Sequence, residues 1–405
     1  MKKYHAATRS ICWRNKVRYD FETLTPPAGQ ALPFVRTTHT HTPEFPDNVN
    51  LGVAEMKFPL LPAIADILRD AASLGALGYV SPTDEFHRAV AAWQKSRHDW
   101  DIDPAWYRLL YGVVPGIGFA LRTFTKEGDG VIVQLPIYTP FLTTVRENNR
   151  RLVENRLVAR GSRWEINFEE LERQAADPHT TALILCSPHN PTGRVWTAEE
   201  LSRIADICRS NGVYVISDEI HADLVMPGYT HTMFSKAANG ARHTLLTAPS
   251  KTFSIPGLTC AFSFTPDSSD REALDRTIDR DMGGYTNILG ILACGAAYTH
   301  GGEWLDECCE VLARNSEILR EALKKYIPDA QVYDAEGTYL RWVDFSCFGL
   351  PPKELDALFR RARFATHAGA MYDTRENRCA RINVACPSRY IEPAVRRLAE
   401  AAKAR

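Results

Sequence analysis

Three things are scarce in this sequence, and each scarcity removes a class of function. No uninterrupted apolar run is long enough to cross a bilayer, so no membrane span is expected. There is no basic excess. The 48 Lys and Arg against 49 Asp and Glu leave a net charge of −1, whereas a nucleic-acid or membrane-surface protein needs a positive field. No C-x-x-C pair with a matching second pair occurs, although ten cysteines are scattered at 12, 186, 208, 260, 294, 308, 309, 347, 379 and 386. A zinc site is therefore not expected. Cys186 in ALILCS and Cys294 in ILACGAAY read as small buried hydrophobes in a reducing, cytoplasmic setting. The start, MKKYHAATRS, has lysines without an apolar stretch behind them, and no secretory signal is expected. Internal repeats and low-complexity linkers are also missing.

What is present suits a large globular enzyme. The 405 residues suffice for two or three domain-sized units, and 45% hydrophobic with 24% charged residues is ordinary for such a chain. Residues 1–50 carry prolines at 26, 27, 33, 43 and 46 and little periodicity, and read as an arm in which His39 and His41 are solvated loop residues. From about 60 to 300, apolar runs alternate with amphipathic helical patterns. The runs are WYRLLYG (106–112), GVIVQLP (130–136), RLVENRL (151–157), TALILCS (181–187), VYVISD (213–218), TLLTAPS (244–250) and CAFSFTP (260–266). In EELSRIADICRSNG (199–212), Leu201, Ile204, Ala205 and Cys208 share one face and Gly212 stands at the C-cap. Such alternation predicts an α/β domain over 51–300 with a mostly parallel sheet of seven strands, its first residues, near 51–75, belonging to the smaller domain. A smaller α+β domain is predicted over 301–405, from a helix over 304–326, the strands in VYDAEGTYLRWVDF and CARINVAC, and a helical end.

Ligands of such sheets sit at the carboxyl ends of the strands. Those ends carry Val113-Val114-Pro115, Tyr138, Ser187 to Gly193 with Asn190, Asp218 to His221, and Pro249-Ser250-Lys251. A pyridoxal 5′-phosphate (PLP) enzyme needs this inventory. Lys251 supplies the Schiff-base amine, Asp218 an acid for the pyridine nitrogen, Asn190 a donor to the phenolic oxygen, Tyr138 a ring to stack, and the turn before PGIGFALRTF a helix N-terminus for phosphate. Taken alone, Asp218 could equally cap the helix that follows it. Gly116 and Gly118 lack the third glycine and the acid of a dinucleotide fingerprint.

SPHNPTGRVW, SDEIH-x-DL and APSKTFSIPGL resemble the fold-type I aminotransferase superfamily, and within it the PatB/MalY-like cystathionine β-lyase (C–S lyase) branch. LGYVSPTDEFHRAVAAWQKSRHDWDI, GVVPGIGFALRTFTKEGDGVIVQLPIY, EGTYLRWVDF and RINVACP extend the likeness over roughly residues 50–390. The resemblance implies an aminotransferase fold, PLP bound on Lys251, and a lysine that also moves the α-proton. It implies Asp218 on the pyridine nitrogen, Asn190 and His221 around the phenolic oxygen, and Tyr138 against the ring. Val113, Val114 and Ser250 would hold the phosphate. Tyr79 would reach the phosphate of a partner in a homodimer, and Arg381 would grip the α-carboxylate of an amino-acid substrate, with Asn190 beside it. Many aminotransferases have a tyrosine where His221 stands and an arginine where Thr259 stands.

The branch usually has Trp-Val-Ala-Asp-Met-Asp-Phe beside the substrate, where this chain reads Gly52-Val53-Ala54-Glu55-Met56-Lys57-Phe58. Gly52 and Lys57 are read as lining the pocket and admitting a substrate bulkier or more acidic than cystathionine, unless Lys57 is a surface lysine. The loop MYDTRENRCA before Arg381 adds Arg375 and Arg378. The expected activity is β-elimination on an S-substituted cysteine, giving thiol, pyruvate and ammonia. Transamination or decarboxylation of a bulky S-conjugated amino acid in a biosynthetic pathway is the alternative within the cofactor class. A regulatory PLP-binding protein is the alternative outside it.

Overall fold

The computed structural model describes residues 18–26, 34, 49–75, 77–284, 287–375 and 377–404. Most of the expected arm over 1–50 lies outside them, as do His39 and His41. Residues 18–26 do pack on the body. Phe21 is buried edge-on against Phe58 at 5.1 Å and beside Trp304 at 5.4 Å.

The seven apolar runs form one sheet. In chain order its strands are β1 (Tyr107–Leu110), β2 (Gly130–Leu135), β3 (Arg151–Arg156), β4 (Thr180–Cys186), β5 (Tyr214–Asp218), β6 (His243–Thr247) and β7 (Ala261–Phe264). Their spatial order is β1-β7-β6-β5-β4-β2-β3. Only β7 runs against the rest, pairing antiparallel with both β1 and β6. Strands β2 and β5 are buried along their whole length, as a sheet covered on both faces requires.

The covering helices follow the sequence signals. The helix Ala198–Asn211 opens with a capping box between Thr197 and Glu200 and stops at Gly212, whose φ of 70° suits glycine. Leu201, Ile204, Ala205 and Cys208 face the sheet core, as their spacing predicts. Helix α1 (Val113–Phe124) lies over the opposite face. There Gly116 brings it so close that an added Cβ would meet Leu110 and Leu246 at 2.8 and 2.9 Å.

A second, four-stranded antiparallel sheet contains β8 (Gln331–Val332), β9 (Leu340–Asp344), β10 (His367–Ala368) and β11 (Cys379–Asn383), in the order β8-β9-β11-β10. Helices Gly302–Tyr326 and Ile391–Lys403 pack on it. The segment 51–57 threads between the two sheets. Leu51 donates to the Ala365 carbonyl and accepts from Asn383, and Lys57 donates to the Ala385 carbonyl. That contact brings a piece of early sequence against the last strand of the chain.

Candidate active site

The carboxyl ends of β2, β4, β5 and β6 and the N-terminus of α1 surround a cavity of about 240 Å³. Ala54, Gly112, Val113, Val114, Tyr138, Phe141, Cys186, Asn190, Asp218, His221, Ser250 and Lys251 are among its walls. Four strand ends and one helix thus converge on one space, as the topology of a parallel sheet dictates.

Two opposite charges sit deep in it. Asp218 ends β5 and is buried, and its carboxylate accepts from the Ile220 amide at 3.0 Å. Burial, reinforced by the neighbouring Glu219, pushes its carboxyl up to about 7. Glu219 itself is turned away and satisfied by Ser217, His231 and the Phe234 amide. Lys251 donates from Nζ to the Ala54 carbonyl at 2.8 Å. Burial first, and then the Arg381 charge, bring its ammonium down to about 8. A buried acid held near neutrality and a buried amine that deprotonates easily mark a functional site rather than a structural ion pair.

The remaining walls are donors and rings. Helix α1 opens at Gly112 without a side-chain cap, and Val113 and Val114, at the positive end of its dipole, line the cavity. The buried His221 leaves Nδ1 without a hydrogen-bond partner among the described residues, and burial together with Lys251 and Arg381 lowers its pKa to about 3, so it is neutral. Burial raises the Tyr138 phenol, which stays protonated. Arg381, on β11, is 2% exposed. It donates from Nη1 to Asn190 Oδ1 at 3.2 Å and from Nη2 to the Gly52 carbonyl at 2.6 Å, and its Nε has no hydrogen-bond partner among the described residues.

Several residues without a chemical signature in the sequence also stand at the site. The Tyr339 hydroxyl donates to the Ala54 carbonyl at 2.9 Å, so one carbonyl holds both that hydroxyl and the Lys251 amine. Its motif, EGTYLRWVDF, was legible, but nothing in it singled out the tyrosine. Ala54, Cys186 and Phe141 line the cavity as apolar residues without any chemical signature. His367 and Tyr372 stand against Arg381 and came from a stretch with no periodicity.

Two expectations need correction. Lys57 does not line the cavity: its side chain is buried, forms an ion pair with Glu55, and lies beside Cys386. It is neither a pocket cation nor a surface lysine. Gly52 touches the site only through its carbonyl, and it does not open volume. A Cβ there would meet His367 Cδ2 at 2.6 Å, so an imidazole already fills the space. Tyr79 is fully exposed and outside this chain's cavity. Thr259 accepts from Asn287 at 2.8 Å.

The Aminotransferase class I and II family matches residues 46–398. The chain belongs to that family. It is 34% identical over 355 residues to cystathionine beta-lyase PatB of Bacillus subtilis, covering 87% of this chain and 92% of PatB. It is 32% identical over 363 residues to protein MalY of Escherichia coli, covering 88% and 92%. Its fold superposes on cystalysin from Treponema denticola, a crystal structure that contains pyridoxal 5′-phosphate, with a TM-score of 0.89 and 34% identity over 96% of this chain and all of that one.

The residues present fit such a cofactor. A buried carboxylate with no cation beyond Lys251 near it among the described residues suits a pyridinium, the uncapped start of α1 suits a phosphate, and His221, whose Nδ1 has no hydrogen-bond partner among the described residues, lines the same cavity.

Proposed function

We propose that this protein is a PLP-dependent C–S β-lyase that converts an S-substituted L-cysteine and water into a thiol, pyruvate and ammonia. The observation that carries the reading is the buried Lys251 amine facing the buried Asp218 carboxylate across one cavity, with the Arg381 guanidinium at its rim. Support comes from relatives of known name: PatB is a cystathionine beta-lyase, and Staphylococcus hominis C–S lyase shares the fold at a TM-score of 0.86 and 26% identity.

In this reading Lys251 would anchor the cofactor, Asp218 would pair with its ring nitrogen, and Tyr138 would serve its ring. Asn190 and His221 would attend the phenolic oxygen, and the Val113 and Val114 amides with the Ser250 hydroxyl would hold the phosphate. When bound, PLP withdraws electrons from the substrate α-carbon, which makes the α-proton acidic and the β-substituent a leaving group. Arg381, with Asn190, fixes the α-carboxylate and so orients the Cα–H bond. The Lys251 amine rests on the Ala54 carbonyl, and a pKa of about 8 leaves on the order of a tenth of it as free base at neutral pH. It takes the α-proton. The Cβ–S bond then breaks with its electron pair leaving on sulfur, and Lys251 returns the proton to the thiolate. The 2-aminoacrylate released is hydrolysed to pyruvate and ammonia.

The protein is further proposed to work in a reducing compartment as a homodimer, with Tyr79 of each chain serving the phosphate of its partner. Exposure of Leu77, Tyr79 and Val80 on one stretch supports this assembly. The large domain over 51–300 and the small domain over 301–405 would meet at the cavity. The test is stoichiometric. Incubation with an S-substituted cysteine should release free thiol and pyruvate in equal amounts. Consumption of the amino acid without thiol would overturn the lyase reading in favour of transamination or decarboxylation.

A further inference from the structure

Arg381 and His367 are direct cross-strand partners, because β10 pairs with β11 in that register. Partners of this kind project to the same face of a sheet with their Cβ atoms about 5 Å apart. Here the imidazole Nδ1 stands 3.1 Å from Arg381 Nη2 and 2.9 Å from the Tyr372 hydroxyl. A guanidinium has only donors, so Nδ1 must accept. That assigns a neutral imidazole with its proton on Nε2.

The guanidinium is thus held from three sides. Nη2 donates to His367 and to the Gly52 carbonyl, and Nη1 donates to Asn190. The Tyr372 ring lies 4.9 Å beneath it. Every one of these partners is neutral. The arginine is oriented without being neutralised, and its positive charge stays available to an incoming anion. A carboxylate in the place of His367 would orient it equally well and cancel that charge.

Gly52 is the other half of this arrangement. With an added Cβ 2.6 Å from His367 Cδ2 and 3.0 Å from the Thr366 carbonyl carbon, no larger residue leaves the ring where it is. Bare backbone at 52 both accepts from Arg381 and makes room for the imidazole.

We propose that His367 is a positioning residue, which through its neutral Nδ1 fixes the Arg381 guanidinium for the substrate α-carboxylate, with Gly52 providing its place. This rests on the reading of Arg381 as the carboxylate anchor. A chain that carries tryptophan at 52 cannot use this device, so the Gly52 departure is a change in how the anchor is held and not an enlarged pocket.

The test uses holoenzyme and 3-(methylthio)propionate, which is S-methylcysteine without its amino group and so binds without reacting. His367→Leu should raise its calorimetric Kd, and the KM for S-methylcysteine, by about tenfold, the scale of one lost hydrogen bond to a charged group. The kcat should change much less than KM, and the cofactor absorption should not move, because the cofactor's own contacts lie apart from the rim. His367→Asn, whose Oδ1 can accept the same N–H, should recover to within about threefold of the parent. Gly52→Ala should reproduce the leucine variant. Arg381→Ala separates the two ideas. If it leaves propionate binding unchanged, the carboxylate reading itself fails. If propionate binding depends on Arg381 while His367→Leu binds like the parent, or loses kcat with KM unmoved, the positioning role of His367 is overturned alone.

Discussion

The floor and the rim of the cavity are built in opposite ways. The floor consists of side chains at the ends of β4, β5 and β6 and the start of α1, all fixed by a regular sheet. The rim consists of the 51–57 segment, the two-residue strand β10 and the end of β11, tied together by single hydrogen bonds across more than three hundred residues of sequence. The floor carries the cofactor chemistry the family shares. The rim is where this sequence departs from its branch, and in the proposed reading it is the part that holds the substrate. Sites positioned by a sheet resist drift, because moving one strand end disturbs a packed core, whereas at the rim the space available to Gly52 is set by a single neighbouring side chain, His367.

The sharpest way to break this comparison is at the floor. Lys251→Ala should lower kcat by roughly 10³-fold or more, since it removes both the anchor and the base. Borohydride treatment of the parent followed by mass spectrometry should place the reduced adduct on Lys251, and adduct on another lysine would refute the assignment.

At the rim the expectation is different in kind. Arg381→Ala should raise KM for amino-acid substrates about a hundredfold while leaving the cofactor spectrum intact, the cost of losing a charge-assisted paired contact. A changed spectrum with unchanged KM would erase the distinction between floor and rim.

A third measurement uses pH on cofactor-free protein. Asp218 is pushed up from its ordinary 3.8 to about 7 by burial. Between those values the folded state keeps a proton that the unfolded chain releases, so this group's contribution to stability falls as pH rises through that window. Asp218→Asn removes the penalty. Its Tm should match the parent near pH 4 and exceed it by a few degrees near pH 7.5, and a constant difference across that range would contradict the buried-acid picture.

The smallest effect is expected at Lys57. Buried against Glu55 and away from the cavity, it should be exchangeable for an apolar residue of similar length. Lys57→Met should leave the ratio of kcat/KM for cystathionine and for a bulkier S-conjugate within about twofold. A larger change would return Lys57 to the pocket wall.

Most of the floor was legible in advance, for a physical reason. Buried parallel strands must be continuous apolar runs, they end where polar residues begin, and their ends must converge. Lys251, Asp218, Asn190 and Tyr138 therefore announced themselves by position as well as by type. The rim was not legible. A lysine in a short polar-apolar stretch gives no sign that it will be buried against an acid two residues away, and a glycine replacing a tryptophan looks like empty space until the residue filling it is known.

The sequence by itself determined the sheet of seven strands, the helices over it and the set of groups at its strand ends, because periodicity and strand-end chemistry are local properties of the chain. Tertiary structure alone decided that Gly52, His367 and Arg381 meet, that Lys57 does not join them, and that one carbonyl at Ala54 serves both Lys251 and Tyr339. Those are contacts between segments far apart in sequence, selected by how two sheets pack against the segment between them, and no local pattern encodes which side chain will fill a given space.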